Sequence, residues 1–382
     1  MDASQYFDYA AATPLLPEAK AAMQPFLDSD FHNASALYAS GRKNRLAVEA
    51  FRHELAQSLG AKPTEIVFTA GGTEANNIAI HGVMQAYPDA AVVVSAVEHD
   101  AVLEPAKQYT NRVIPVTEQG IIKTDELQAL IDDSVALISV MYVNNEVGSI
   151  QPLRDVVALA ESVRQDRKKR GVAMPLYVHS DACQAGNYLD MQVARLGVDL
   201  LTINAGKVYG PKQTGALYVR SGVRLKSLVQ GGGQEWNIRS GTENLANIAG
   251  FVAAWHEARR LHKDEFRRLS DMRDKALHEL TTITGVSANG ASHQKRLANN
   301  MHITVAGYDN ERLLMELDEQ GFQVATGSAC SASNDEPSHV LKAMGLSDED
   351  AQSSIRITLG KYTTDESLQN LVAAIKKIVA KN

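Results

Sequence analysis

The 382-residue sequence predicts an α/β protein built on a mainly parallel sheet flanked by helices, followed by a smaller α+β part. Two observations predict it. From about residue 46, short apolar β-branched runs alternate with amphipathic stretches of helical length, and after a long helical stretch over 244–280 the texture changes. Continuous apolar strands separated by helices form sheets buried on both faces, whose ligands lie beyond the strands' carboxyl ends.

The predicted strands of the first part are, in order, 66–69, 91–95, 135–140, 176–179, 200–203 and 216–219, each rich in Val, Ile, Leu or Ala. Segments around 300–305, 323–325 and 355–358, set between helices, form the second part. The boundary is expected inside the helix near 255–261, and no Pro/Gly-rich linker separates the parts. This gives a large domain over 15–256 and a small domain from 1–14 and 257–382, rigidly packed together.

A net charge of −7 argues against a nucleic-acid surface, which needs clustered Lys and Arg. The one basic run, Arg167-Lys168-Lys169-Arg170, follows the helical stretch 153–164 and reads as a solvated helix C-terminus favoured by the dipole. The N-terminus lacks a basic region and an apolar segment, and no apolar run approaches the ~20 residues that span a bilayer. A cytoplasmic protein is expected. Cys183 and Cys330 lie far apart without a CxxC pairing, so neither a disulfide framework nor a zinc site is expected.

Strand 66–69 runs into Ala70-Gly71-Gly72-Thr73-Glu74, where a helix should begin. Glycines admit an anion close to the backbone, Thr73 adds a hydroxyl, and the helix N-terminus presents free N–H groups, which together make a phosphate cradle. A plain strand-to-helix turn has the same glycines. Strand 176–179 leads to Asp181, an aspartate at the sheet's carboxyl edge, although such an aspartate taken alone is more often a helix N-cap. Strand 200–203 leads to Asn204-Ala205-Gly206-Lys207, which puts a lysine at the same edge, with Lys212 as its rival in the same loop.

The chain order of phosphate turn, Val97-Glu98-His99, Val143-Asn144-Asn145-Glu146, Asp181-Ala182-Cys183-Gln184 and Lys207 resembles the fold-type I pyridoxal 5′-phosphate (PLP) enzymes of the class V aminotransferase superfamily. Ala325-Thr326-Gly327-Ser328-Ala329-Cys330-Ser331-Ala332, followed by Glu336-Pro337-Ser338-His339, resembles the catalytic loop of NifS/IscS-type cysteine desulfurases. The resemblance covers nearly the whole chain and implies a seven-stranded large-domain sheet.

It also implies roles. Lys207 carries the Schiff base; Gly72, Thr73 and Asn204, with Thr242 of a partner in a homodimer, hold phosphate. Asp181 binds the pyridine nitrogen, which makes the ring an electron sink. Gln184 or Asn145 contacts the phenolic oxygen, and His99 stacks on the ring and serves as acid or base. Arg356, in Ser353-Ser354-Ile355-Arg356, binds the substrate carboxylate as a planar fork, with Asn145 also counted among the substrate-binding residues. Cys330 takes sulfur from L-cysteine, leaving alanine and a persulfide for a sulfur-acceptor protein.

Departures are visible as well. The resemblance leads one to expect Ser-x-His-Lys where Asn204-Ala205-Gly206-Lys207 stands, and His at Tyr38 and Gln234, both expected near the site. Cys183, where Thr is usual, reads as a packing residue. Weaker cofactor retention follows from the loss of the histidine donor. Selenocysteine lyase, another class V reaction, or a degenerate PLP-binding partner in a sulfur-transfer complex are the competing readings.

Overall fold

A computed structural model describes residues 3–327 and 337–380. Seven strands, β1 Ile66–Thr69, β2 Ala91–Ser95, β3 Asn111–Ile114, β4 Val135–Ser139, β5 Tyr177–Asp181, β6 Leu200–Asn204 and β7 Gly215–Val219, form one sheet in the order β1-β7-β6-β5-β4-β2-β3. The pairs among β2, β3, β4, β5 and β6 are parallel, and only β7 runs against its two neighbours. The apolar runs that announced these strands are buried along their length, which is why the pattern is continuous rather than alternating.

The helices around this sheet are α1 Pro17–Asp28, α2 Ala39–Leu59, α3 Gly72–Ala86, α4 Asp100–Ala106, α5 Thr124–Leu130, α6 Leu153–Arg170, α7 Val193–Leu196 and α8 Leu245–Thr281. The 37-residue α8 leads to a second sheet, β10-β9-β8, formed by β8 Val286–Ala288, β9 Asn300–Val305 and β10 Ser354–Thr358 with antiparallel pairing. Helices α9 Asn310–Asp318, α10 His339–Ala343, α11 Asp348–Gln352 and α12 Asp365–Val379 complete this part. No helix among the described residues is long and apolar enough to cross a membrane.

The N-terminal segment joins the two sheets. Phe7 N–H donates to the Gln323 carbonyl at 2.8 Å and Thr358 N–H to the Phe7 carbonyl at 2.7 Å, while Thr13 Oγ1 donates to the Gly206 carbonyl at 3.0 Å. One short stretch of chain is thereby fixed to β10 and to the loop that follows β6.

Two sequence expectations are corrected here. Strand β3 carries no apolar run, because it is the sheet's edge and two of its four residues are exposed. The basic run at the end of α6 is not uniformly solvated: the Arg167 side chain is 2% exposed. Its guanidinium donates to the carbonyls of Asp132, Val135, Met174 and Pro175, fastening the helix end to the strand entrances, and Gly171 supplies the left-handed cap.

Candidate active site

Beyond the carboxyl ends of β1, β5 and β6 lies a cavity of about 220 Å³. Gly72, Thr73, His99, Asn145, Asp181, Gln184, Asn204, Lys207 and Arg356 all line it, so nine of the sequence-predicted residues share one space. Lys212 is exposed and does not line it, so of the two lysines Lys207 is the one that shares this cavity.

One end of the cavity is the start of α3. No side chain caps this helix, so its first amides stay open to a ligand, and the adjacent wall is crowded. A Cβ placed on Gly72 would sit 2.6 Å from Cys183 Sγ and 3.4 Å from Asn204 Nδ2. Asn204 Oδ1 accepts the Gly206 N–H at 2.9 Å, leaving its Nδ2 as the group that faces Gly72. Gly206 contributes no side chain here.

Asp181 ends β5, and its carboxylate is fixed from two sides. Asn76 Nδ2 donates to Oδ2 at 2.6 Å and Cys183 N–H donates to Oδ1 at 2.9 Å. Beneath it, His179 bonds Ser139 through Nδ1 and Thr202 through Nε2, and burial pulls its pKa down to about 4, so the ring is neutral. Burial also pushes the Glu98 carboxyl well above the ordinary range, helped by the Asp181 charge and opposed by the Met141 N–H at 2.6 Å. The Cys183 thiol is raised well above its ordinary value by burial and by the adjacent Asp181 carboxylate, which makes it a neutral wall group rather than a nucleophile.

Lys207 closes the short 3-10 turn Ala205–Lys207, and its Nζ donates to the carbonyls of Ala10 at 2.7 Å and Ala11 at 2.5 Å. Gln184 Nε2 donates to the same Ala10 carbonyl at 3.0 Å. His99 caps α4 by accepting the Ala101 N–H on Nδ1 at 3.0 Å, so the neutral ring carries its proton on Nε2. Across the cavity the Arg356 side chain is only 2% exposed. Its Nη2 meets Asp8 Oδ1 at 2.7 Å and its Nη1 meets the Asn145 carbonyl at 3.1 Å, while the buried Nε has no partner among the described residues.

Three expectations fall elsewhere. Thr242 is exposed and lines a separate cavity of about 240 Å³ with Thr69, Ala70, Arg239 and Glu243. Tyr38, 56% exposed, stands at the start of α2 and lines neither cavity; Gln234 is used locally, accepting the Gly241 N–H at 2.9 Å. Neither residue lines this chain's own cavity. Cys330 lies outside the described residues.

The sequence reading missed Asn76, Asp8 and the carbonyls of Ala10 and Ala11. Asn76 had a signal, since it follows Thr73 by three residues and Gly72 by four and so shares their helix face. The carbonyls had none, because any residue supplies one.

Open helix amides at one end, a fixed carboxylate, an amine and a cationic fork are the donor set that PLP and an amino acid require. A model of the family described as aminotransferase class-V matches residues 5–371. The cysteine desulfurase IscS of Dictyoglomus turgidum is 41% identical over 384 residues, covering 98% of this chain and 94% of that protein. That of Methanosarcina thermophila is 36% identical, covering 98% and 92%. Among solved structures, a NifS-like protein matches with a TM-score of 0.89 at 30% identity over 99% of both chains. SspA, solved in complex with cysteine, matches at 0.80 and 30% identity over 94% of this chain and 100% of that one.

Fold, cavity and relatives define a PLP-dependent enzyme of fold type I. The chain belongs to the class V aminotransferase family, in its cysteine desulfurase branch.

Proposed function

We propose that this enzyme acts on L-cysteine and passes its sulfur to Cys330. The observation that carries the reading is the gathering of Lys207, Asp181, the α3 N-terminus and Arg356 around one cavity, in a chain whose relatives are named for this reaction. The start of α3, Thr73 and Asn204 Nδ2 are suited to hold the cofactor phosphate, Asp181 the pyridine nitrogen, and Gln184 or Asn145 the phenolic oxygen. When bound, the cofactor supplies an electron sink next to the substrate's α-carbon.

The remaining work belongs to side chains. Arg356 has an unspent, buried Nε–H for the substrate carboxylate. Lys207 Nζ moves the α-proton, and His99 Nε2 is the second proton carrier on the same wall. Cys330 sulfur bonds to the substrate sulfur as the substrate's Cβ–S bond breaks; the Cβ takes a proton and becomes the methyl of alanine. The persulfide then goes to an acceptor protein.

A homodimer suits the surface. Phe31, Leu37, Tyr38 and Leu46 are 72%, 82%, 56% and 72% exposed on neighbouring turns, a solvent-facing apolar group that a second copy would cover. Thr242 lies outside its own chain's cofactor cavity, in keeping with service to a partner's phosphate. We place the enzyme in the cytoplasm, on its two separate thiols and the absence of a spanning helix among the described residues.

The test mixes PLP-loaded protein with L-cysteine and a reductant and measures sulfide and alanine, with Cys330→Ala as control. Both products appear in equal amounts from the parent chain. No sulfide from loaded parent protein sinks the reading.

A further inference from the structure

We propose that Asp8 is the positioning residue for Arg356, fixing the plane of the fork that receives the substrate carboxylate; the inference rests on the reading of Arg356 given above. The guanidinium offers five N–H donors in a rigid plane. Two fixed acceptors on different parts of the chain hold it: Asp8 Oδ1 at 2.7 Å on Nη2 and the Asn145 carbonyl at 3.1 Å on Nη1. Anchoring both terminal nitrogens fixes the torsion of the planar group about the Cδ–Nε bond and leaves Nε, buried and unpartnered among the described residues, with the unused Nη hydrogens as the edge for an incoming carboxylate.

Asp8 is suited to this by its own anchorage. Its residue bridges Thr358 on β10, two positions from Arg356, and the flanking Phe7 and Ala10 are bonded to Thr358 through the Phe7 carbonyl and the Ala10 N–H. Carboxylate and guanidinium therefore project from β10 and from the segment bridged to it in fixed register. The pair is monodentate and Asp8 keeps 18% side-chain exposure, so the fork is oriented without being fully spent. In the substrate-free enzyme the same contact gives a buried cation its partner.

The stretch from Asp8 to Ala11 also sets a distance. Two and three residues beyond Asp8, the Ala10 and Ala11 carbonyls hold Lys207 Nζ, and Ala10 also holds Gln184. Four consecutive residues thus relate the carboxylate fork to the amine that moves the α-proton. Orientation of this kind acts on substrate binding before chemistry.

The experiment compares Asp8→Ala, Asp8→Asn and Arg356→Ala as PLP-loaded proteins. Steady-state kinetics with L-cysteine, calorimetric binding of L-alanine, and PLP affinity by absorbance titration are measured on each. In Asp8→Ala we expect KM and the L-alanine Kd to rise about tenfold, the factor that 1.4 kcal/mol represents, with kcat within about twofold and PLP affinity unchanged. Asp8→Asn keeps an acceptor oxygen and should recover most of the loss. Unchanged KM and L-alanine Kd in Asp8→Ala overturn the proposal, as does a matching loss of PLP affinity, which would make Asp8 a general support of the cavity. If Arg356→Ala itself binds L-alanine normally, the reading of Arg356 fails instead.

Discussion

Replacing Arg52 with Met should cost about 3–5 kcal/mol of stability, the range for a buried ion pair that loses one member. Arg52 and Glu235 are 3% and 2% exposed and pair bidentately, Nη1 to Oε2 at 2.6 Å and Nη2 to Oε1 at 2.8 Å. Arg52 Nη1 also donates to the Ile66 carbonyl, and Glu235 accepts the Phe68 N–H at 2.7 Å. The guanidinium lies 4.9 Å from the Phe68 ring centre and 5.2 Å from that of Trp236. This cluster holds Glu235, Trp236 and Asn237 at φ of 45°, 59° and 60°, three consecutive left-handed residues at roughly 1–2 kcal/mol each. Without Arg52 an orphaned carboxylate and a strained turn are left facing each other.

The assay is urea unfolding of Arg52→Met, Glu235→Gln and the double variant, followed by tryptophan fluorescence. The double variant should be more stable than the sum of the single losses predicts, because removing both partners leaves no buried charge unpaired. The turn precedes the loop that carries Thr242, which is bonded to it through Gln234 and Gly241, so if Thr242 serves a partner's phosphate as proposed, PLP should also leave Arg52→Met faster. A loss under about 1 kcal/mol for Arg52→Met, or strict additivity in the double variant, would refute the reasoning.

Other outcomes follow from the same geometry. In Gly72→Ala the new Cβ meets Cys183 Sγ at 2.6 Å, a deficit of about 1 Å from optimal contact that overpacking puts at about 1–3 kcal/mol; thermal melts should show the loss, and adding Cys183→Ala should restore it. Glu98→Gln keeps an acceptor for the Met141 N–H and removes an acid whose folded pKa is raised. As pH rises above the ordinary 4.5 the unfolded parent chain releases this proton first, so native stability falls by up to about 1.4 kcal/mol per pH unit until the folded pKa is reached. The variant should therefore gain on the parent toward neutral pH and match it near pH 4.5, as unfolding at both values will show. His179 has the opposite sign: its folded pKa of about 4 lies below the ordinary 6.5, so its stability is present above pH 6.5 and lost as pH falls toward 4, and His179→Gln should flatten that loss.

The large sheet was legible because strands buried on both faces are built around apolar runs, and six of its seven strands contain or adjoin one. Edge strand β3 was not, since Asn111-Arg112-Val113-Ile114 satisfies water on one side. The cavity-lining residues at strand ends had a signal in chain order, since Asp181, Asn204 and Lys207 each follow an apolar run, while their roles came from the resemblance. What the sequence hid acts across distance. Asp8 and Arg356 are 348 positions apart, and the Ala10 carbonyl works through backbone that carries no residue signature. Tyr38 is largely exposed and Gln234 accepts the Gly241 N–H, and neither lines this chain's own cavity, so resemblance names these positions without showing what they meet.

The central claim is that sulfur leaves L-cysteine and lodges on Cys330. Mass spectrometry of the intact PLP-loaded protein and of its peptides, after brief exposure to L-cysteine without reductant, tests it most directly. One added sulfur atom on the peptide containing Cys330, absent in Cys330→Ala and in Lys207→Ala, is the predicted result. Alanine formed with no sulfur on that peptide, or the added sulfur found on Cys183 instead, contradicts the account.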